Sequence, residues 1–272
     1  MDHAHPVVLA NPAEIRQYDG IKEAEDLTDA AFLARLARLE ILPTGYIYPR
    51  EDRPVRDLLR RRTLLVRQQT AMILSLQNLA LRQTGQRMDW RTLRDRSDEE
   101  RTERLGDHDC PAFVTSAPAD LIQLLREKIK RFAKKVLEHA HLKPAYTCLL
   151  TLPGVGVILA RTIMLETGDI GRFETVGDCT SYCRCVRATH TSNGKNKGKH
   201  NRKNGNAYPA WAFVEAAHQA LKTCPQAKRF YDHKRAQRHG ALATKALAAK
   251  WSKAAYYMRQ RQETFDLTRV FG

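Results

Sequence analysis

The chain has 272 residues, with 46 Lys or Arg against 30 Asp or Glu, and a formal net charge of +16 at pH 7. It holds no apolar run of the roughly 18 residues that a membrane-spanning helix needs, and its N-terminus lacks the basic-then-apolar pattern of a secretory signal. We therefore expect neither membrane insertion nor secretion, and the positive charge favours nucleic acid as the partner.

The cysteines are expected to be reduced thiols, because nothing in the sequence indicates export. There are 6 of them: Cys110, Cys148, Cys179, Cys183, Cys185 and Cys224. The group around Cys183, with His190, suggests zinc only loosely, since paired C-x-x-C spacing is absent. We favour the interpretation that these cysteines are small buried apolar residues.

Near the N-terminus the segment H-P-V-V-L-A-N-P predicts a short buried strand from Val7 to Ala10. Residues 26–39 predict an amphipathic helix that begins near Asp26, where a carboxylate can cap the helix and favour its dipole. Asp29 falls on the same face three residues later, so the two carboxylates could hold a divalent cation such as Mg²⁺. A lone D-x-x-D is also common on solvated helices.

Two heptad-patterned helices are predicted in the middle of the chain. The first spans about 54–84, with apolar pairs at a seven-residue step, and the second carries Ile122 through Val136 at alternating spacings of three and four. Residues 85–117 are polar and broken by Gly and Pro, which predicts a connector. The pattern indicates an antiparallel coiled-coil arm or a dimerisation element.

The run L-P-G-V-G introduces the C-terminal part of the chain and precedes a helical run from Val157. It resembles the hairpin of a helix-hairpin-helix element. There, Gly154 and Gly156 would let the backbone approach a phosphate, and the opening N–H groups of the next helix would face the anion. The alternative is an ordinary glycine-containing turn between two helices.

A basic segment, defined here as Arg184–Asn206, has 23 residues with seven Lys or Arg and no Asp or Glu. A phosphate backbone is the natural partner for such a run. Ser192, the one serine in it, could be a nucleophile if His190 or His200 accepted its proton and neighbouring cations stabilised the phosphate. A loop serine bonded to its own backbone is the alternative. The expected cations are Lys195, Lys197, Lys199, Arg202 and Lys203.

Three further helices are predicted after the basic segment, at about 207–223, 226–238 and 241–262. We therefore expect a mainly α fold. Its predicted parts are a residual α/β piece over 1–52, the coiled-coil arm with its connector over 53–144, and a helical C-terminal domain over 145–272.

Together these residues resemble the transposases of the IS110 (IS116) family of insertion sequences. The segment N-R-K-N-G-N-A-Y-P-A-W-A-F-V-E-A-A and the preceding L-P-G-V-G resemble the family's C-terminal transposase domain. The segment K-E-A-E-D-L-T-D-A-A-F-L-A resembles the end of its RuvC-like N-terminal domain, which carries an Asp-Glu-Asp-Asp metal site. The heptads resemble the family's coiled-coil region, so the resemblance covers nearly the whole chain.

The resemblance implies roles for particular residues. Asp26 and Asp29 correspond to the last two acids of the metal site, which would hold Mg²⁺. Ser192 corresponds to the serine nucleophile, which is thought to form a covalent phosphoserine link to DNA. It further implies a cytoplasmic, nucleoid-associated bacterial protein that acts on element ends and target DNA, exchanges strands without long target duplications, assembles as a homo-oligomer and uses a structured guide RNA.

One departure from the family pattern concerns the N-terminus. The family's first Asp lies on an opening strand and its Glu precedes D-x-x-D, whereas here only 25 residues precede Asp26. The acids in that stretch do not lie in a matching strand context: Asp2, Glu14, Asp19, Glu23 and Glu25. We expect a family member that lacks its N-terminal half-domain, holds Mg²⁺ loosely, and binds nucleic acid but recombines poorly.

Two other functions fit parts of the sequence. A non-catalytic nucleic-acid-binding protein could use the glycine turn and the basic segment as a clamp, and seven phosphate contacts would give a salt slope of about −6 on duplex DNA. A coiled-coil scaffold would explain the heptads but not the acid-free basic segment.

Overall fold

A computed structural model describes residues 8–12, 15, 26–89, 100, 111–139, 144–186, 189–192, 195–199 and 205–272. The chain divides into two compact units, Met1–Glu51 and Asp52–Gly272, and each is described by itself. The prediction of a mainly α fold is confirmed. Within the described ranges, no helix is both long enough and apolar enough to cross a membrane.

The first unit contains helix α1, Asp26–Arg38, whose first turn carries both predicted aspartates. No residue of α1 is buried. The strand predicted at Val7–Ala10 is reduced in the described residues to one antiparallel bridge between Ala10 and Thr44. The Gly45 N–H donates to the Leu9 carbonyl at 2.7 Å beside that bridge.

Helices α2, Arg53–Thr84, and α3, Pro111–His139, form the arm of the second unit. The proline at position 54 starts α2 without losing a helical hydrogen bond, and Gly85 ends it in the left-handed region at φ 70°. The connector was predicted to extend to 117, but α3 already begins at Pro111. That bound of the connector was wrong, and a second proline, Pro118, lies inside the same helix.

The two arm helices run antiparallel, as their contacts show. Gln69 Nε2 donates to the Ile122 carbonyl at 3.2 Å, and Leu76 packs with Ile122 in a small core of its own. At the other end Leu59 and Val136 both belong to the main core. Burying each such side chain stabilises the folded state by roughly 1.5–3 kcal/mol. Packing between the two helices therefore accounts for the heptad pattern of apolar residues.

The rest of the second unit is a helical bundle around the main core. Its largest fully buried side chains include Trp251, Phe213, Leu149 and Ile163. The elements are α4 (Pro144–Leu150), α5 (Val157–Thr167), a 3₁₀ turn (Ile170–Arg172), α6 (Val176–Tyr182), β1 (Thr189–Ser192), β2 (Lys195–Lys199), α7 (Ala207–Thr223), α8 (Pro225–Gln237), α9 (Gly240–Arg261) and α10 (Leu267–Phe271).

Candidate nucleic-acid interface

The two ends of the basic segment are fastened to each other. Arg184 donates from Nε and Nη2 to the Gly205 carbonyl at 3.0 and 2.8 Å, and the Asn206 N–H donates to the Tyr182 carbonyl at 2.6 Å. Gly205 has φ +81°, and a Cβ there would lie 2.5 Å from the Tyr182 carbonyl oxygen. Only glycine fits at this position, so the segment begins and ends at one fixed point.

Inside the segment the backbone forms a β-hairpin where the sequence suggested only a loop. Strands β1 and β2 are antiparallel, with Ser192 opposite Lys195 at the closed end and an irregularity between Thr189 and Thr191. The two residues between the strands are Asn193 and Gly194, the dipeptide most typical of a two-residue hairpin turn. That signal could have predicted the hairpin.

Of the predicted cations, Lys195, Lys197 and Lys199 all belong to β2. The candidate nucleophile therefore ends β1 directly opposite a strand of alternating lysines. Arg202 and Lys203 lie outside the described residues, as does His200.

A buried carboxylate holds the C-terminal end of the basic segment. Sequence patterns gave no indication of it. Glu166 is 0% exposed and accepts hydrogen bonds from Arg60 Nε at 2.6 Å, Arg56 Nε at 3.0 Å and Asn206 Nδ2 at 2.8 Å. Burial raises the pKa of Glu166, but the hydrogen bonds from Arg60 and Asn206 and the charge of Arg56 outweigh it and hold that pKa below its ordinary value. The arm and the basic segment thus share one ionised anchor.

Beside this anchor, Tyr208 joins α7 to the arginines of α2. Asn206 caps α7 by accepting a hydrogen bond from the Tyr208 N–H at 3.0 Å. The guanidinium of Arg60 lies 4.6 Å from the Tyr208 ring centre, and that of Arg67 lies 5.8 Å from it. Together with Arg61 they border a cavity of about 360 Å³. An aromatic ring among cations next to the basic segment is suited to a nucleotide strand.

The glycine turn connects α4 to α5, and its two glycines differ. Gly154 has φ +82°, and a Cβ there would lie 2.1 Å from the Ala216 carbonyl oxygen in α7. Its close approach is therefore to a neighbouring helix. Gly156 precedes α5 with φ −89°, is exposed, and has open space where a Cβ would be. Of the two, Gly156 is the one with room for an anion.

Asp26 and Asp29 lie in the first unit, in the first turn of α1. Asp26 is exposed and Asp29 half-buried. Two carboxylates three residues apart offer the hard oxygen ligands that Mg²⁺ prefers, with water completing the shell. Among the described residues no group of three or more His, Cys, Asp or Glu side chains is placed to hold a metal. The pair fits one weakly held cation and falls short of a two-metal site.

The cysteines near the basic segment are packing residues. Cys148, Cys179, Cys183, Cys185 and Cys224 are all buried free thiols, as the favoured interpretation predicted. Burial raises the pKa of Cys185 to about 12, although a hydrogen bond with Ser252 opposes the shift. Such a thiol is unreactive at neutral pH.

Comparison with known proteins finds a family match over this part of the chain. Residues 146–232, which include the glycine turn, Glu166, the basic segment and Tyr208, match the model of the transposase IS116/IS110/IS902 family. An insertion element IS110 uncharacterized 43.6 kDa protein from Streptomyces coelicolor is 28% identical over 137 residues, which cover 50% of this chain and 32% of that protein. The match thus spans about a third of this relative's length. Residues 146–232 are therefore similar to the transposase domain of the IS116/IS110/IS902 family.

Proposed function

We propose that this protein is a DNA transposase that cuts and rejoins DNA strands with Ser192 as the nucleophile. The observation that carries the proposal is the position of Ser192 opposite Lys195 at the closed end of the hairpin, within a segment whose two ends are fixed at Glu166 and Gly205. A rigid base and a cationic strand are what a phosphate-attacking hydroxyl requires.

In the proposed reaction the Ser192 hydroxyl attacks a DNA phosphorus. An Oγ–P bond forms while one P–O ester bond breaks, and the released strand oxygen takes a proton as the serine loses one. A hydroxyl on a second strand then attacks the phosphoserine, which reforms a phosphodiester and returns the serine. The lysines of β2 offset the charge that develops on the phosphate oxygens.

Asp26 and Asp29 would hold Mg²⁺ in this proposal. When bound, the cation would supply Lewis-acid stabilisation of the phosphate oxygens. The first unit is proposed to be a RuvC-like piece and the α2–α3 pair a coiled coil. Element-end and target DNA, a structured guide RNA and a second copy of the chain are the proposed partners, on the strength of the resemblance.

The test is covalent capture of DNA. The full chain is incubated with duplex DNA from the borders of its element, with Mg²⁺ and RNA transcribed from the same element, and adducts are resolved on denaturing gels. Ser192→Ala is expected to abolish the adduct while DNA binding persists. Thr191→Ala, which removes the neighbouring hydroxyl from the same strand, is expected to retain it. An adduct that survives in Ser192→Ala would exclude Ser192 as the nucleophile.

A second candidate is a non-catalytic nucleic-acid-binding protein. The cavity bordered by Tyr208, Arg60, Arg61 and Arg67 beside the basic segment is suited to holding a nucleotide strand without chemistry, and this favours a binding role. In that case neither Asp29→Ala nor Ser192→Ala would change anything except affinity, and no adduct would form with the unmodified chain.

A further inference from the structure

A groove on the arm is lined mainly by cations, and its lining includes no residue of the basic segment. It is a cavity of about 520 Å³, and the apolar part of its lining, here called the floor, consists of Leu58 of α2 and Phe132 of α3. Its rim carries three lysines, one arginine and one glutamate, namely Lys128, Lys134, Lys135, Arg131 and Glu138. The groove therefore combines an apolar floor with a clear excess of positive charge.

Most of this charge is not neutralised by neighbouring carboxylates. Lys135 Nζ lies 2.8 Å from Glu138 Oε2, which offsets one cation. In the described part of the chain, no carboxylate lies within ion-pair distance of Lys128, Arg131 or Lys134. All three are exposed. Three like charges on one helix repel one another in the free protein, and a bound polyanion relieves that repulsion.

Phe132 gives the groove a second property, because its ring is half-buried and lines the floor. A cationic groove with an aromatic ring in its floor is the arrangement by which proteins hold single-stranded nucleic acid. The cations follow the backbone and a base stacks on the ring. An acidic peptide could form ion pairs with the cations, but it has no base to stack on the ring.

We propose that the groove between α2 and α3 binds a short stretch of single-stranded nucleic acid. A base packs on Phe132, and Lys128, Arg131 and Lys134 contact the backbone. The inference rests on the proposed nucleic-acid function and adds a second binding surface to it. A strand held there would contact α3 and, through Leu58, the helix α2 whose arginines hold Glu166.

The test uses the full chain and fluorescein-labelled oligothymidylate, with affinity measured by anisotropy at several salt concentrations. Lys128→Gln/Arg131→Gln is expected to weaken binding about fivefold or more and to reduce the salt slope by about 1.4, since each contact with a single strand contributes about 0.7. The control is Arg126→Gln/Lys130→Gln. It removes the same two residue types from α3, and the helical spacing puts them on another face. This control is expected to change affinity less than twofold.

Phe132→Leu keeps the floor apolar but removes the stacking surface, and it is expected to weaken binding about fivefold. Its control is Leu137→Ala, at an exposed apolar position of the same helix that does not line the groove. In addition, light-induced cross-linking of an oligonucleotide containing 5-iodouracil should modify the peptide that holds Phe132.

Three outcomes would overturn the proposal. The first is that Lys128→Gln/Arg131→Gln and its control Arg126→Gln/Lys130→Gln lose affinity for oligothymidylate equally. The second is that Phe132→Leu binds with unchanged affinity and no cross-link forms on the peptide that holds Phe132. The third is that polyglutamate displaces oligothymidylate equally well from the unmodified chain and from Phe132→Leu. A triple variant distinguishes failure of the groove proposal from failure of the proposed function, namely Lys195→Gln/Lys197→Gln/Lys199→Gln. If that triple variant loses duplex binding while the groove variants change nothing, only the groove proposal falls; if the unmodified chain binds no nucleic acid, both fall.

Discussion

Asn206 Nδ2 lies 2.8 Å from Glu166 Oε2, although the two residues are 40 positions apart. The same amide also donates to the Glu166 carbonyl at 3.3 Å and to the Tyr182 hydroxyl at 3.1 Å. Asn206 is thus the point at which the basic segment enters the buried network of the bundle. Hydrogen bonds to an ionised acceptor are the stronger kind, so this contact fixes the end of the segment firmly.

Replacing Glu166 by Gln should lower the free energy of unfolding by about 3 kcal/mol. The amide removes the negative charge between Arg56 and Arg60 and leaves two partly buried guanidinium groups facing a neutral side chain. Chemical denaturation measures the loss. Glu174→Gln, an exposed position, serves as the control and should change stability by less than about 0.5 kcal/mol. Equal stability of the two variants would contradict the role of Glu166 as an anchor.

The contribution of Glu166 should depend on pH. Its pKa in the folded protein lies below the ordinary value of 4.5, so folding favours the carboxylate. The stabilisation is complete above about pH 4.5 and is lost as the pH falls through the folded pKa. The stability difference between the unmodified chain and Glu166→Gln should therefore shrink on acidification below pH 4.5. Denaturation curves across that range test this, and a constant difference would refute it.

Asn206→Asp should impair the reaction more than DNA binding. Aspartate still caps α7, but it places a second carboxylate at hydrogen-bond distance from Glu166 and so repels the end of the segment. We expect adduct formation at least tenfold slower, because the hairpin would lose its fixed base. Asn196→Asp adds the same charge within β2 and controls for weaker DNA attraction. A larger loss of adduct in Asn196→Asp would point to charge alone.

The two glycines of the turn should respond differently to alanine. Gly154→Ala combines a strained φ of +82° with a Cβ 2.1 Å from a backbone oxygen, so we expect a loss of about 3 kcal/mol or failure to fold. Gly156→Ala meets open space and should leave stability unchanged while weakening DNA binding if a phosphate lies there. Thermal unfolding and DNA titration of both variants separate the two effects. Equal destabilisation of both would contradict this account.

Cys185 should resist alkylation in the folded protein. With a pKa of about 12, only about one thiol in ten thousand is ionised at pH 8, and the side chain is buried as well. Mass spectrometry after iodoacetamide treatment should find the Cys185 peptide unmodified until urea unfolds the chain. Modification at the rate of a free cysteine would show that this part of the core opens readily.

Sequence patterns predicted the elements that depend on local spacing. The helix predicted at 207–223 matches α7, because Asn206 is a strong cap and apolar residues follow at helical spacing. The arm helices followed from their heptads in the same way. The start of α3 was placed too late because the polar stretch up to residue 117 was interpreted as a connector, whereas the helix begins at Pro111 and also contains Pro118.

The candidate site was predictable only in part. The acid-free run of cations identified the basic segment but not strand β2, and the Asn193–Gly194 dipeptide could have identified the hairpin. Glu166 ends an apolar helix and carries no local signal, since its partners Arg56 and Arg60 lie more than a hundred residues away in the chain. A buried ion pair between distant segments becomes visible only when the fold brings them together.

Because the two ends of the basic segment are held together, Ser192 can lie only a limited distance from Arg184. A polypeptide extends at most about 3.5 Å per residue, so the eight steps from Arg184 to Ser192 span no more than about 28 Å. If Ser192 is the nucleophile, the carboxylates that cooperate with it must approach a point within that distance of Arg184, whichever copy of the chain supplies them. Glycines inserted between Arg184 and Thr189 would increase that distance, and under the proposed function the range of DNA geometries that Ser192 reaches should increase with it.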